Sequence, residues 1–164
     1  MTLRAIQADI TSLDLDAIVN AANEHLAEGG GVCGAIFRAA GARELAAACR
    51  PLAPCPTGEA RITPGFALKA RWVIHAVGPV WHGGDQDEAA KLAGAYRNAI
   101  LRLREVGGRS IAFPAISTGI YGYPVDRATP LAVATLREVA SDLDVTFACF
   151  NEQMLATYEQ ALAG

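Results

Sequence analysis

Cysteine is sparse in this chain and poorly placed for metal or redox work. Cys33, Cys49, Cys55 and Cys149 form no Cys-x-x-Cys pair and are too few for a disulfide scaffold. Cys49 and Cys55 read as reduced thiols that happen to lie close in sequence. His25, His75 and His82 are dispersed, so no metal site and no cofactor are expected. A basic cluster is also missing. The 14 Lys and Arg are scattered and the formal net charge is −3, which leaves no face suited to displacing counterions from a duplex. An acidic small molecule held by backbone amides needs no such charge. No apolar run is long enough to span a bilayer, and Met1 to Ala5 contain no apolar core of a signal peptide. These absences describe a reduced, cytoplasmic protein with no membrane partner. With no heptad repeat or long apolar patch, a monomer is expected.

What is present suits one domain. The chain has 164 residues, 52% of them apolar and 19% charged, enough for an ordinary core. Leu3 to Ala8 alternates as a strand and ends at Asp9. Ala17-Ile18-Val19 is too short an apolar run for its periodicity to be read. A helical pattern runs from Cys33 to Arg50 with a break near Gly41, and the prolines at 51, 54 and 56 keep the next stretch irregular. Glu59–Thr63 and Trp72–Val77 are strand candidates. Asp85 or Asp87 is placed to cap a helix running to about Val106. Ser110–Phe113 reads as a buried strand. Thr129-Pro130 has the form of an N-cap followed by proline, opening a helix to about Ser141 that can start one turn sooner. A strand over 144–150 and a helix over 152–162 complete the pattern. Alternating strands and helices predict an α/β fold with a largely parallel sheet covered on both faces.

In such sheets ligands sit beyond the carboxyl ends of the strands. The polar and glycine-rich segments fall there: Asp9, Asn20 to Cys33, Ser117 to Tyr121, and Phe150-Asn151. Gly29-Gly30-Gly31-Val32 opens a helix whose first amides can meet an anion. Ser117-Thr118-Gly119-Ile120-Tyr121-Gly122 follows a buried strand and can form an anion nest. Neither loop matches the phosphate-loop or GxGxxG consensus. Two such loops in one small domain suggest a diphosphate held between them.

Six ordered segments carry a family resemblance: Asp9-Ile10-Thr11, Asp16 to Asn23, Gly29 to Val32, Thr57 to Ala60, Val73 to Pro79, and Phe113 to Pro124. From about Leu3 to Tyr158 the chain resembles the macrodomain family, in particular its O-acetyl-ADP-ribose deacetylase and mono-ADP-ribosyl hydrolase branch. The resemblance implies a single domain, a three-layer α/β/α sandwich around a mixed, largely parallel sheet. It implies ADP-ribose or O-acetyl-ADP-ribose as ligand, with mono-ADP-ribosylated proteins as further partners, and nucleic acid only as an ADP-ribosylated end. By this resemblance Asp9 and the Ile10 amide meet adenine. Gly30, Gly31, Val32 and Cys33 line the distal ribose and phosphate, and Asn23 holds the distal ribose hydroxyls. Ser117, Thr118, Gly119, Ile120 and Tyr121 wrap the diphosphate, while Phe150 packs on adenine with Asn151 near it. Asn23, Cys33 and Tyr121 are the candidate catalytic residues.

Several of these residues have structural readings as well. Asp9 can cap a turn, and Phe150 can belong to the core. Asn20 is expected to pin neighbouring backbone with its amide, and His75 to be a satisfied core histidine. The chain also departs from the family pattern. Cys33 stands where the hydrolase branch usually carries aspartate, Phe37 where it carries histidine, and Ala8 where glycine commonly precedes Asp9. A neutral thiol neither accepts a proton nor orients water well. A helix start can depress a thiol pKa and make a thiolate accessible, yet no cationic partner lies close in sequence. Alphavirus macrodomains share the Gly-Val-Cys reading, which is compatible with water activated by the ligand's own phosphate. The sequence thus leaves two main functions, an ester hydrolase acting at the distal ribose and a non-catalytic reader of ADP-ribose. A redox or metal protein built on the four cysteines is the remote third.

Overall fold

The computed structural model describes residues 2–164. Six strands form one sheet in the order β1 (Thr2–Gln7), β6 (Asp144–Cys149), β5 (Ser110–Phe113), β2 (Ala17–Ala21), β4 (Trp72–Ala76), β3 (Ala60–Pro64). Every neighbouring pair is parallel except β3 with β4. Five helices cover it: α1 (Gly31–Ala40), α2 (Ala42–Cys49), α3 (Glu88–Glu105), α4 (Val125–Val139) and α5 (Glu152–Ala163).

Side-chain alternation along the strands separates two cores. Ala17 and Val19 face one side of β2 and Ile18 the other; Ile111 and Phe113 likewise oppose Ala112, and Val145 and Phe147 oppose Ala148. The larger core lies under α3, α4 and α5, where Tyr96, Phe113, Phe147 and Tyr158 pack in sequence with centroids 5.1, 6.5 and 4.5 Å apart. The smaller one joins Ile18, Val73 and Val77 to Ile36, Phe37 and Leu45 of α1 and α2. Phe37 is wholly buried there, so the position that is histidine in the resembled branch serves packing in this chain. The result is a three-layer α/β/α sandwich around a mixed, largely parallel sheet.

Three local expectations need correction. The uncalled run Ala17–Val19 extends to Ala21 as a central strand, fixed by β4 along its whole length and by β5 at its start. Thr129 is no N-cap: α4 begins at Val125, the start one turn sooner that the sequence also allowed, and Pro130 lies inside it, where its missing amide removes one helical bond. Asp87 sits before α3 in a left-handed conformation and makes no side-chain cap. Its neighbour Glu88 takes over the closing of that loop. The Glu88 carboxylate accepts the amides of His82, Gly84 and Gln86 at 2.8, 3.0 and 2.6 Å.

Burial alone would raise the pKa of Glu88, but the three amides outweigh it and hold the carboxyl at about 2, against 4.5 for an ordinary glutamate. A carboxyl depressed in the folded state stabilises above its unfolded value, and the contribution disappears as pH falls from about 4.5 to 2. Glu88→Gln is therefore expected to unfold at lower urea than the wild type at pH 7, with the gap closing through that window. Parallel pH profiles in the two proteins would show that the carboxylate does not close this loop.

Candidate functional site

Because the central strands are parallel, β1, β6, β5 and β2 discharge their chains at the same edge. A cleft of about 1470 Å³ opens there, lined by Asp9, Ile10, Asn23, the 29–33 segment, the 114–121 segment, Phe150 and Asn151. Every residue named as a candidate from the sequence borders this one cleft. Among the described residues its lining contains no Lys, Arg or His. An anion in this cleft is left to backbone amides, helix ends, hydroxyls and side-chain amides.

Two sets of amides are available. Gly30 is the N-cap of α1 and offers no side-chain acceptor, so the amides of Gly31, Val32 and Cys33 have no partner in the helix's first turn. Across the cleft the 117–123 loop closes on itself. Gly122 N donates to Gly119 O at 3.0 Å, Tyr123 N to Ser117 O at 2.9 Å, and Trp81 N to Tyr121 O at 2.8 Å. Among the described residues the amides of Gly119, Ile120 and Tyr121 donate to nothing. Successive unpaired amides of this kind form an anion-binding concavity.

The glycines separate protein demands from ligand demands. Gly34 has to lack a side chain because a Cβ would lie 2.5 Å from Gly29 O, and Gly31 and Gly122 have left-handed φ values of +57° and +73°. Gly30 and Gly119 have neither constraint. Each would point its Cβ into open space at the cleft with no protein atom within 4 Å.

Asp9 does cap a turn, as one reading had it. Its Oδ1 accepts Thr11 N at 3.0 Å and Thr11 Oγ1 at 2.7 Å, which orients the carboxylate at the rim. Phe150 is not core: β6 ends at Cys149, and Phe150 stands 78% exposed on the cleft edge. Asn151 caps α5, accepting Met154 N at 2.8 Å. Asn23 is committed on both ends of its amide, with Nδ2 donating to Ala27 O at 2.9 Å and Oδ1 accepting Ala27 N at 3.1 Å. One N–H and one lone pair remain for a ligand.

Asn20 differs from expectation. Its Nδ2 donates to His75 Nδ1 at 3.1 Å instead of to backbone, and its Oδ1 is buried without a partner. With Nδ1 an acceptor, the neutral His75 ring carries its proton on Nε2, which donates to Thr63 Oγ1 at 3.0 Å. Burial pushes the His75 pKa down to about 4. His75 is thus the satisfied core histidine that its place in a strand suggested.

Cys33 is the third residue of α1, yet its thiol does not behave as a helix-start thiolate. Burial raises its pKa, outweighing the lowering by the Gly29 amide and the Asn20 side chain, while Glu28 raises it further. Burial, the largest influence on this thiol, acts against the thiolate. Tyr121 is also held protonated by burial, with Glu24 and Cys33 adding to the effect, so its phenol acts as a hydrogen-bond donor. The cysteines are all free and buried, and among the described residues no cluster of three His, Cys, Asp or Glu side chains forms. Among the described residues no helix is long and apolar enough to cross a membrane.

Sequence reading missed the far wall of the cleft. Val125 and Thr129 of α4 and Gln153, Met154, Thr157 and Tyr158 of α5 also line it. Thr-Pro read as a helix start hid Thr129, and no motif marks the others.

Comparisons with known proteins agree with this fold. The Macro domain family model matches residues 19–132. A Macro domain-containing protein of Ralstonia nicotianae is 59% identical over 163 residues, covering 99% of this chain and 95% of the relative. A Klebsiella pneumoniae protein named O-acetyl-ADP-ribose deacetylase is 50% identical over 165 residues, covering 96% and 94%. Among solved structures, the Oceanobacillus iheyensis macrodomain with ADP superposes with a TM-score of 0.92 at 40% identity, covering 98% of this chain and 90% of that one. The Trypanosoma brucei macrodomain in complex with ADP-ribose gives 0.89 at 40% identity, covering 98% and 68%.

The state of Cys33 is directly measurable. Iodoacetamide at pH 8 is expected to leave Cys33 unmodified in the folded protein, while all four cysteines label in denaturant. Rapid labelling of Cys33 in the folded state, located by peptide mass, would restore the thiolate route.

Proposed function

The chain belongs to the Macro domain family, and from that premise we propose that it binds ADP-ribose in the cleft and hydrolyses esters at the distal ribose. The observation that carries the binding half is the pair of facing amide sets, at the start of α1 and in the 119–121 loop, in a cleft lined by no cation among the described residues. A diphosphate is the anion that spans two such cradles. Adenine then lies toward β1 and β6, between the Asp9 carboxylate and the exposed ring of Phe150, and the distal ribose toward Asn23, Cys33 and Tyr121. The Trypanosoma brucei macrodomain in complex with ADP-ribose and the Oceanobacillus iheyensis macrodomain with ADP, relatives of the same fold, support this choice of ligand.

For hydrolysis, a water adds to the ester carbonyl carbon and its proton passes to a diphosphate oxygen of the ligand. The tetrahedral intermediate then breaks its bond to the ribose oxygen, which takes the proton back as a hydroxyl, and the carboxylic acid leaves. This chain's contribution is geometry. Asn23 presents its remaining N–H and lone pair to the ribose, Tyr121 donates from its neutral phenol, and the amide cradles fix the phosphate that handles the proton. Cys33 is a small neutral wall. O-acetyl-ADP-ribose and ADP-ribosyl esters of Asp or Glu side chains are the substrates, and the name of the Klebsiella pneumoniae relative supports the first.

One observation favours the second reading, a reader that binds without cleaving. Among the described residues the cleft lining holds no histidine and one carboxylate, Asp9, which the proposed arrangement places at the adenine end.

An end-point assay of O-acetyl-ADP-ribose separates the two. The wild type is expected to release ADP-ribose above a buffer blank, Asn23→Ala to fall by at least about 100-fold, in keeping with loss of a positioning group, and Cys33→Asp to match or exceed the wild type. No release by folded wild type would leave only the reader. Binding is tested separately by calorimetry with ADP-ribose. Gly119→Val is expected to keep the wild-type Tm and lose binding at least tenfold, since its side chain enters open cleft space. Asp9→Ala is expected to weaken binding about tenfold, as loss of a charge-assisted hydrogen bond implies. Unchanged affinity in both would move the ligand out of this cleft.

A further inference from the structure

Tyr121 borders the cleft from a loop that does little to hold it. The loop's own bonds, Gly122 N to Gly119 O at 3.0 Å and Tyr123 N to Ser117 O at 2.9 Å, close the turn around the amide cradle. Neither involves Tyr121. Among the described residues its one backbone bond is the one its carbonyl accepts from Trp81 N at 2.8 Å. Trp81 itself is not part of the cleft lining.

The chain leaving β4 is fitted to the 116–123 stretch at several points. Gly78 lies so close to Ile116 and Ser117 that a Cβ has no room. Trp81 packs on the buried ring of Tyr123, with centroids 4.6 Å apart. Arg127 of α4 lies over the indole at 5.5 Å. Gly84, with a left-handed φ of +98°, closes its edge, where a Cβ would stand 2.9 Å from Trp81 Cη2. The indole is therefore gripped by three neighbours.

Glu88 fixes the grip. Its buried carboxylate gathers the amides of His82, Gly84 and Gln86. The residue after Trp81 and the residue against its ring are thus tied to one side chain at the start of α3. That helix is anchored in the larger core by Leu92 and Tyr96. A continuous series of contacts runs from α3 through Glu88, the 82–86 loop and Trp81 to the carbonyl of Tyr121. Neither Glu88 nor Trp81 borders the cleft.

We propose that Trp81, clamped by Glu88, is a positioning residue for Tyr121: it sets the phenol against the distal ribose and leaves the rest of the nucleotide site alone. This rests on the ADP-ribose reading of the cleft. The amide cradle is closed by the loop's own bonds, so loosening Trp81 frees Tyr121 before it disturbs the diphosphate. A purely structural role would weaken every part of the site together.

The test is calorimetric titration of the full chain with ADP, which lacks the distal ribose, and with ADP-ribose. In Trp81→Ala the ADP affinity is expected to stay within about twofold of the wild type, as for a site remote from the change. ADP-ribose affinity is expected to fall at least about fivefold, the worth of one neutral hydrogen bond. Trp81→Phe, which keeps a ring against Tyr123, is expected to restore it to within about twofold. Tyr121→Phe removes the phenol hydroxyl, and adding Trp81→Ala to it is expected to cost less than about twofold more. Glu88→Gln guards against a folding fault in Trp81→Ala and is expected to show the same selective loss at smaller size. Equal losses for ADP and ADP-ribose overturn the proposal, as does unchanged affinity for both. A Trp81→Ala loss that persists in full beside Tyr121→Phe overturns it too. Wild type that binds neither nucleotide removes the ADP-ribose reading and this proposal together.

Discussion

Backbone amides that leave the end of a parallel strand have to find acceptors, and in this fold four neighbouring strands deliver them to one edge. β1, β6, β5 and β2 run in the same direction, so the turns after them meet in one place. Turns after β1 and β6 satisfy themselves internally, through the Asp9 and Asn151 side chains. Those after β2 and β5 do not. The glycine segment before α1 and the 117–123 loop leave their amides pointing into a shared space. Pairing them with each other is impossible, because both are donors. Only an outside acceptor can complete them, and the site follows from that shortage.

The same shortage explains why the cleft needs no cation. Lysine or arginine in its wall would bring desolvation and side-chain entropy costs that oriented amides avoid. It also bears on Cys33. A carboxylate at that position would be a second anion near the proposed phosphate, held by the first turn of α1. The thiol is neutral there, because burial dominates the modest help of the helix end. Chemistry at the distal ribose then depends on positioning and on the ligand's own oxygens. Sulfur in place of carboxylate changes where the proton goes more than it changes the shape of the cleft.

Much of this was legible in the sequence, for reasons that differ by element. Strand ends marked by Asp9, Asn23 and the two glycine loops were readable because polar residues following apolar runs have few other uses in an α/β fold. β4 announced itself in the run Trp72 to Val77, one residue longer than the strand. β2 could not be extended past Val19, since Asn20 and Ala21 carry no strand signal; their place is set by pairing with His75 and Ala76, which is tertiary information. Thr129-Pro130 misled because a Thr-Pro pair fits a helix start, while the real start at Val125 has no side-chain cap to advertise it. Asp87 misled in the same way, since the carboxylate that gathers the loop amides is the next residue, Glu88. Asn20 was read as structural in kind, but its partner, His75, lies 55 residues away and only the sheet brings them together.

Buried polar atoms without partners sharpen the reading further. Four are found among the described side chains: Asn20 Oδ1, Arg102 Nε, Ser117 Oγ and Thr129 Oγ1. Ser117 and Thr129 border the cleft and Asn20 lies directly behind Cys33, which does. Arg102 alone lies elsewhere, and it belongs to a surface ion pair with Glu105. Random packing faults would be scattered through both cores. Three of the four thus lie in or behind the wall of one cavity. Ser117 adds backbone strain at the same place, holding φ at +69° with its side chain tight against Gly78. The 117–123 loop therefore brings a strained residue and a buried hydroxyl to the wall of the cleft.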